Sequence, residues 1–353
     1  MKTFSTLAAA ALLLLAGTTA RATVRIVDNN VNSATPYSVI DSAIKASAPG
    51  DTVYVQASPT SYGNVNIDRR ITLIGAGYDI TGTQHNLNSK VSGITLDSTV
   101  VFGPVAPRGT KIIGLDISTI SASQADNISG VSIERCRVSS ISVTNSSWRV
   151  VNCIVGNLYM SPSSGPVSGG HYTFISNNIF YASISGFGNT MTGVVITNNF
   201  FKTSGSFISN TWNTVISNNI FWFNSASNPF SSTTNSTFSN NLAFGTSALT
   251  LPPAGNSGGS NMSNTNPQFV NVPLSSTFST TNIPTYNFGF QTGSPAINAG
   301  SDGTNIGPSG GGYPMSVFTG APQIPQMQEL NILNPVVNLN QPLNINFKAR
   351  KMN

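Results

Sequence analysis

Ile175-Ser-Asn-Asn-Ile-Phe180, Ile196-Thr-Asn-Asn-Phe-Phe201, Ile216-Ser-Asn-Asn-Ile-Phe221 and Phe238-Ser-Asn-Asn-Leu-Ala243 are four versions of one phrase. The second Asn falls at 178, 199, 219 and 241, so the steps are 21, 20 and 22 residues. A unit this short cannot bury its own apolar side chains and must stack on copies of itself. Each phrase is β-branched and aromatic with turn residues on both sides, which suits a strand. Strands that recur in one direction every twenty or so residues describe a coil of parallel β-structure. Weaker copies lie upstream: Val150-Val-Asn-Cys-Ile-Val155, Ile133-Glu-Arg-Cys-Arg-Val138 and Ile112-Ile-Gly-Leu-Asp-Ile117. They place Cys153, Cys136 and Leu115 in the Asn column. Uneven spacing is expected where the strands are fixed and the loops are not.

The rest of the chain fits such a coil. Charged residues are 8% of the 353, against about 25% in ordinary soluble domains, so hydroxyls and amides must solvate the surface. Lys2, the apolar run Leu7 to Ala16 and Ala20-Arg21-Ala22 read as a secretory signal peptide over residues 1–22, with a run too short to span a bilayer. Of the 16 Lys and Arg, Lys2 and Arg21 leave with it, so 14 face 11 acids and the net charge is +3. So few scattered charges do not suggest a nucleic-acid partner. Cys136 and Cys153 fall on adjacent rungs, about 4.8 Å apart. The reading taken is a stacked pair of buried thiols, with a disulfide as the alternative.

In chain order, Val24 to Val27 reads as a strand. Pro36 to Ala48 carries helical spacing with Ser38 as N-cap and Pro49-Gly50 as the stop. Asp51 to Val55, Tyr62 to Ile67 and Arg70 to Gly75 follow as rungs. The stretch 245–264 reads as a long loop or cap crossing, and Leu343 to Phe347 as one exposed edge strand in a Pro-rich tail. The helix is well placed to cover one open end of the coil.

The order of that helix, Ala48-Pro-Gly-Asp-Thr-Val-Tyr-Val55, Tyr62-Gly63 and Ile71-Thr-Leu-Ile-Gly-Ala-Gly77 resembles the opening of secreted right-handed parallel β-helix proteins of the pectate-lyase-like group. Asn266-Pro-Gln-Phe-Val-Asn271, Gly293-Ser-Pro-Ala-Ile-Asn-Ala-Gly300 and Asn305-Ile-Gly307 are similar to that group's closing segment. The resemblance covers about residues 24–312. It implies an all-β fold, a single right-handed parallel β-helix over 23–312, to which the residues themselves add an N-terminal capping helix and a C-terminal tail over 313–353 with a capping or covering strand. It says little of function, because this scaffold carries lyases, hydrolases, epimerases and adhesins.

What the resemblance implies for chemistry is polysaccharide cleavage by paired carboxylates, or by calcium on clustered carboxylates with a basic side chain as base. From Arg135 to Ser301 there is no acid at all. Asp116 and Glu134 lie one rung apart but do not share a column. A calcium-independent lyase would need only basic groups, for which Arg135, Arg137, Arg149 and His171 are the candidates; their plainer reading is a solvated face and a loop His. His85 lies in a polar loop.

If Ile175, Asn178 and Phe180 point inward, two outer columns follow. One is Arg137, Ile154, Ile179, Phe200, Ile220 and Leu242; the other is Ser139, Gly156, Tyr181, Lys202, Trp222 and Phe244. Such a stripe needs a cover or a purpose. The cover would be the tail or the 245–264 loop. The purpose would be a sugar groove with Tyr181, Lys202, Trp222 and Phe244 as substrate-binding residues. The expectation is a secreted or cell-surface monomer that contacts extracellular polysaccharide, with no metal, cofactor or nucleotide, and no transmembrane segment once the signal is removed. The alternatives are the lyase and a structural or adhesion protein.

Overall fold

The computed structural model describes residues 22–78, 87–97, 107–122, 128–144, 147–161, 172–186, 193–203, 205–223, 229–245, 249–273, 278–279, 282–315, 325–333 and 344–351. Residues 1–21 of the expected signal peptide, His85 and His171 lie outside this set.

The chain winds into an all-β parallel solenoid of the right-handed type, built from two eleven-stranded sheets. Sheet A takes one short strand per turn, from Val24–Val27 to Ser257–Gly259. Sheet B starts at Asn64–Ile67 and ends at Leu242–Gly245. The repeated phrases pair in the register their alignment predicts: Ile175 with Ile196, Ile196 with Ile216, and Ile216 with Phe238.

Each phrase crosses from sheet A to sheet B through a two-residue corner. The first corner residue takes a positive φ at Gly114, Arg135, Asn152, Asn177, Asn198, Asn218 and Asn240. Asn and Gly tolerate this left-handed conformation best, which is why Asn recurs there. The second residue turns inward. Asn178, Asn199, Asn219 and Asn241 form a ladder in which each side-chain oxygen accepts the backbone N–H of the preceding rung at 2.9–3.0 Å. Cys153 and Cys136 continue the column as free, fully buried thiols. The backbone N–H of Cys136 reaches Cys153 Sγ at 3.4 Å, and burial pushes the Cys153 thiol pKa well up.

Sheet B folds into two limbs. Ser118 and Thr119 are both exposed between buried Ile117 and Ile120, so the in-out alternation breaks there. Ile179–Phe180 and Phe200–Thr203 pair onto the first limb. Ile184–Ser185 and Ile208–Ser209 pair onto the second. Inside, Phe180, Phe201 and Phe221 stack at centroid distances of 4.8 and 5.1 Å.

Three expectations are corrected in detail. The helix, α1, spans Ile40–Ala46 and is capped by Val39 without a side-chain bond, so Ser38 is not its N-cap. The chain before it is held extended, with the Tyr37 carbonyl accepting from Asp28 N–H. Ile40, Ala43 and Ile44 of α1 join the main core. The 245–264 stretch is not all loop: Ser257–Gly259 adds a rung to sheet A, and Asn261 extends the ladder by accepting from Asn241. The tail carries two strands rather than one, Pro325–Ile332 paired antiparallel with Ile345–Lys351.

Candidate functional site

Three surfaces decide what this coil can do, and the first is the aromatic stripe. Both outer columns form in the expected register, with Arg137, Ile154, Ile179, Phe200, Ile220 and Leu242 in one. Lys202, Trp222 and Phe244 align in the other. They point away from the coil but not into solvent. Lys202 and Trp222 are each 3% exposed, while Tyr181 and Phe244 are partly buried. Among the described residues the cover comes mainly from residues 269–306, with Met262 of the 245–264 stretch and Met315 of the tail at its edges. Phe269, Phe278, Ile283, Phe288, Ala296, Ile306 and Met315 make a second apolar core with the stripe. Phe200 sits at its centre, with Phe269, Phe278 and Phe288 at 5.3, 5.7 and 5.2 Å.

Lys202 is enclosed in that second core. Its Nζ donates to the Pro273 carbonyl at 2.5 Å and lies 4.5 and 5.1 Å from the Phe278 and Trp222 rings. No carboxylate contacts it among the described residues, so burial lowers its pKa from 10.5 to about 8. Trp222 Nε1–H is buried with no partner among the described residues. The predicted sugar-binding column is therefore interior in this structure.

The corner asparagines hold the cover in place. Asn177 Nδ2 donates to the carbonyls of Pro308 and Gly310, Asn198 Nδ2 to Asn305 and Gly307, and Asn240 Nδ2 to Ala299. Asn218 exchanges two bonds with Ser301. Sequence reading assigned the second Asn of each phrase to the ladder and missed this role of the first. The signal was present, because a ladder uses only one Asn per turn.

The second surface is the arginine cluster. Arg137 makes a two-pronged pair with Asp116 at 2.9 and 2.6 Å, beside the Tyr78 ring. Arg149 pairs with Glu134 at 2.5 Å and lies over Tyr313. Arg135 occupies the corner itself, where burial lowers its pKa against the opposing pull of Glu134. Asp116 lies on sheet B and Glu134 on sheet A, so the two acids face different sides of the corner, each held by an arginine. The cluster brings Arg135 and Arg137 close in sequence and fold, but commits two of its three cations to carboxylates.

The third surface is the second limb of sheet B, which sequence reading did not single out. One of its outward columns runs Asn64, Gly93, Thr119, Ser140 and Asn157, and Ser183 Oγ donates to Asn157 Oδ1 at 3.2 Å. The other runs Asn66, Thr95, Ser121, Ser142, Tyr159, Ser185 and Ser209. No position in either column is charged. Asn64, Asn66, Thr95, Thr119 and Tyr159 are exposed and the remainder half-buried. Beneath them Val65, Ile94, Ile120, Ile141, Leu158 and Ile184 are core, so the alternation that builds the limb also lines up its hydroxyls.

Compared with models of known protein families and with curated protein sequences, the chain finds no match. No helix among the described residues is long and apolar enough to cross a membrane.

Proposed function

We propose that this is a secreted solenoid of the pectate-lyase-like group that contacts extracellular polysaccharide without cleaving it. The observation that carries the reading is the second limb of sheet B: two open, uncharged columns of hydroxyl and amide groups with Tyr159 among them. Hydroxyls and amides match the hydrogen-bonding groups of sugars, and an exposed tyrosine ring offers an apolar face to a pyranose. The pairing of Arg137 and Arg149 to carboxylates speaks against a free base for proton abstraction. α1 serves the coil by covering its first turns.

The test is a screen of the chain from residue 23 against acidic and neutral polysaccharides, soluble and insoluble, reading retention and 4,5-unsaturated products together. The expected result is retention without product, weakened several-fold by Tyr159→Ala, an exposed site whose change leaves the core intact. Product formation that survives chelation and is lost in Arg137→Gln would establish the lyase instead. Retention on cells or proteins but on no glycan would establish an adhesion protein.

A further inference from the structure

We infer that the ligand of the second limb is an ordered, insoluble and electrically neutral polysaccharide surface, not a single soluble chain. The inference rests on the proposed function and narrows it.

Shape is the first argument. Sites that hold a single chain or small molecule are concave and bury most of it. The second limb is a sheet face whose column from Asn66 to Ser209 advances one position per turn through unbroken parallel pairing. Seven rungs at about 4.8 Å span roughly 29 Å. Most of the positions are small, and Gly93 adds no side chain between Asn64 Oδ1 and Thr119 Oγ1. Each such contact is weak. A repeating face gains affinity only when many contacts engage at once, and a repetitive solid supplies them where one flexible chain would lose ordering entropy at every sugar.

Charge is the second argument. A uronate polymer requires cations arranged along the face. Neither column has one, Arg137 is bound to Asp116 on the neighbouring limb, and Lys202 lies under the cover. The charge that touches the columns is the Asp41 carboxylate, which accepts from the Asn66 backbone N–H at 3.0 Å; an anion there repels a uronate, so a neutral partner fits the face.

The experiment is adsorption of the chain from residue 23 to cellulose and chitin particles, in competition with soluble oligosaccharides of the same sugars and with polygalacturonate. Adsorption is expected to resist both competitors and to change little with salt. Ser142→Trp, which raises a bulky ring in mid-column, should cut adsorption about tenfold, because it lifts the face from a flat surface at every neighbouring contact. Val215→Trp on the exposed face of sheet A is the control and should leave it unchanged, with thermal unfolding confirming that both variants fold. Displacement by soluble oligosaccharide, or preference for polygalacturonate, would overturn this inference and leave the proposed function standing. No retention on any polysaccharide would overturn both. So would adsorption to ice crystals alone, which would assign the face to a different ordered lattice.

Discussion

Asn199 Oδ1 accepts two hydrogen bonds from Asn178, one from its backbone N–H at 2.9 Å and one from its Nδ2 at 3.0 Å. The Asn199 amide nitrogen in turn donates to the carbonyls of Ile175 and Thr197 and to Asn219 Oδ1. One fully buried side chain thus satisfies donors and acceptors on three successive turns.

Asn199→Ala leaves two buried donors on Asn178 without that acceptor, and each orphan costs about 1–3 kcal/mol. A loss of roughly 2–5 kcal/mol is expected in denaturant unfolding. Asn199→Cys should lose less, because Cys153 shows that a thiol fits the column and accepts from the rung before it. Equal losses for the two variants would contradict this account of the ladder.

Asn152 offers a gain. Ser176 and Thr197 donate their hydroxyls to Asn177 Oδ1 and Asn198 Oδ1 at 2.5 and 2.9 Å. The residue before Asn152 is Val151, which has no hydroxyl, and Asn152 Oδ1 is buried without a partner among the described residues. Val151→Thr keeps the shape and supplies the donor, so unfolding should require about 0.5–1.5 kcal/mol more. Val151→Ala is the control and should destabilise.

Lys202 sets a pH dependence. Its pKa in the fold is about 8 against 10.5 outside it, so between these values the unfolded chain binds more protons and stability rises with pH. Below pH 8 the full penalty of the buried cation is present, on the order of 1–3 kcal/mol. Lys202→Met should therefore be more stable than the parent at pH 7, and the difference should shrink as pH approaches 10.5. Urea midpoints measured across pH 6.5 to 10.5 check this; a difference constant with pH would count against it.

Arg137→Met strands the part-buried Asp116 carboxylate and should cost about 3 kcal/mol. Adding Asp116→Asn removes the stranded charge and should restore a large part of the loss. Two additive losses would mean that the pair does not act as one unit.

The coil, its register and both outer columns were legible from the Ser-Asn-Asn phrases, because strand alternation is local and the repeat fixes which residues stack. The cover was not. Phe269, Phe278 and Phe288 carry no period that ties them to the stripe, and their partners lie tens of residues upstream, so the expectation fell on the segments to either side, the 245–264 stretch and the tail. The second limb was missed for another reason. Thr95, Ser121 and Ser142 look like ordinary solvated loop residues until the register of Ile94, Ile120 and Ile141 places them in one line. The helix start failed because Ser38 has the right chemistry, while the extended Tyr37 moves the first helical turn past it.

The strap from Ala299 to Gly310 offers its backbone to four corner asparagines on four consecutive turns, Asn240, Asn218, Asn198 and Asn177. Rungs elsewhere in a solenoid can be duplicated or deleted with little penalty, since each contacts only its neighbours. Here they cannot. Inserting a turn between Asn198 and Asn218 would lengthen the coil by about 4.8 Å and leave the strap one hook short. The strap is therefore a gauge that fixes the number of turns in this half of the molecule.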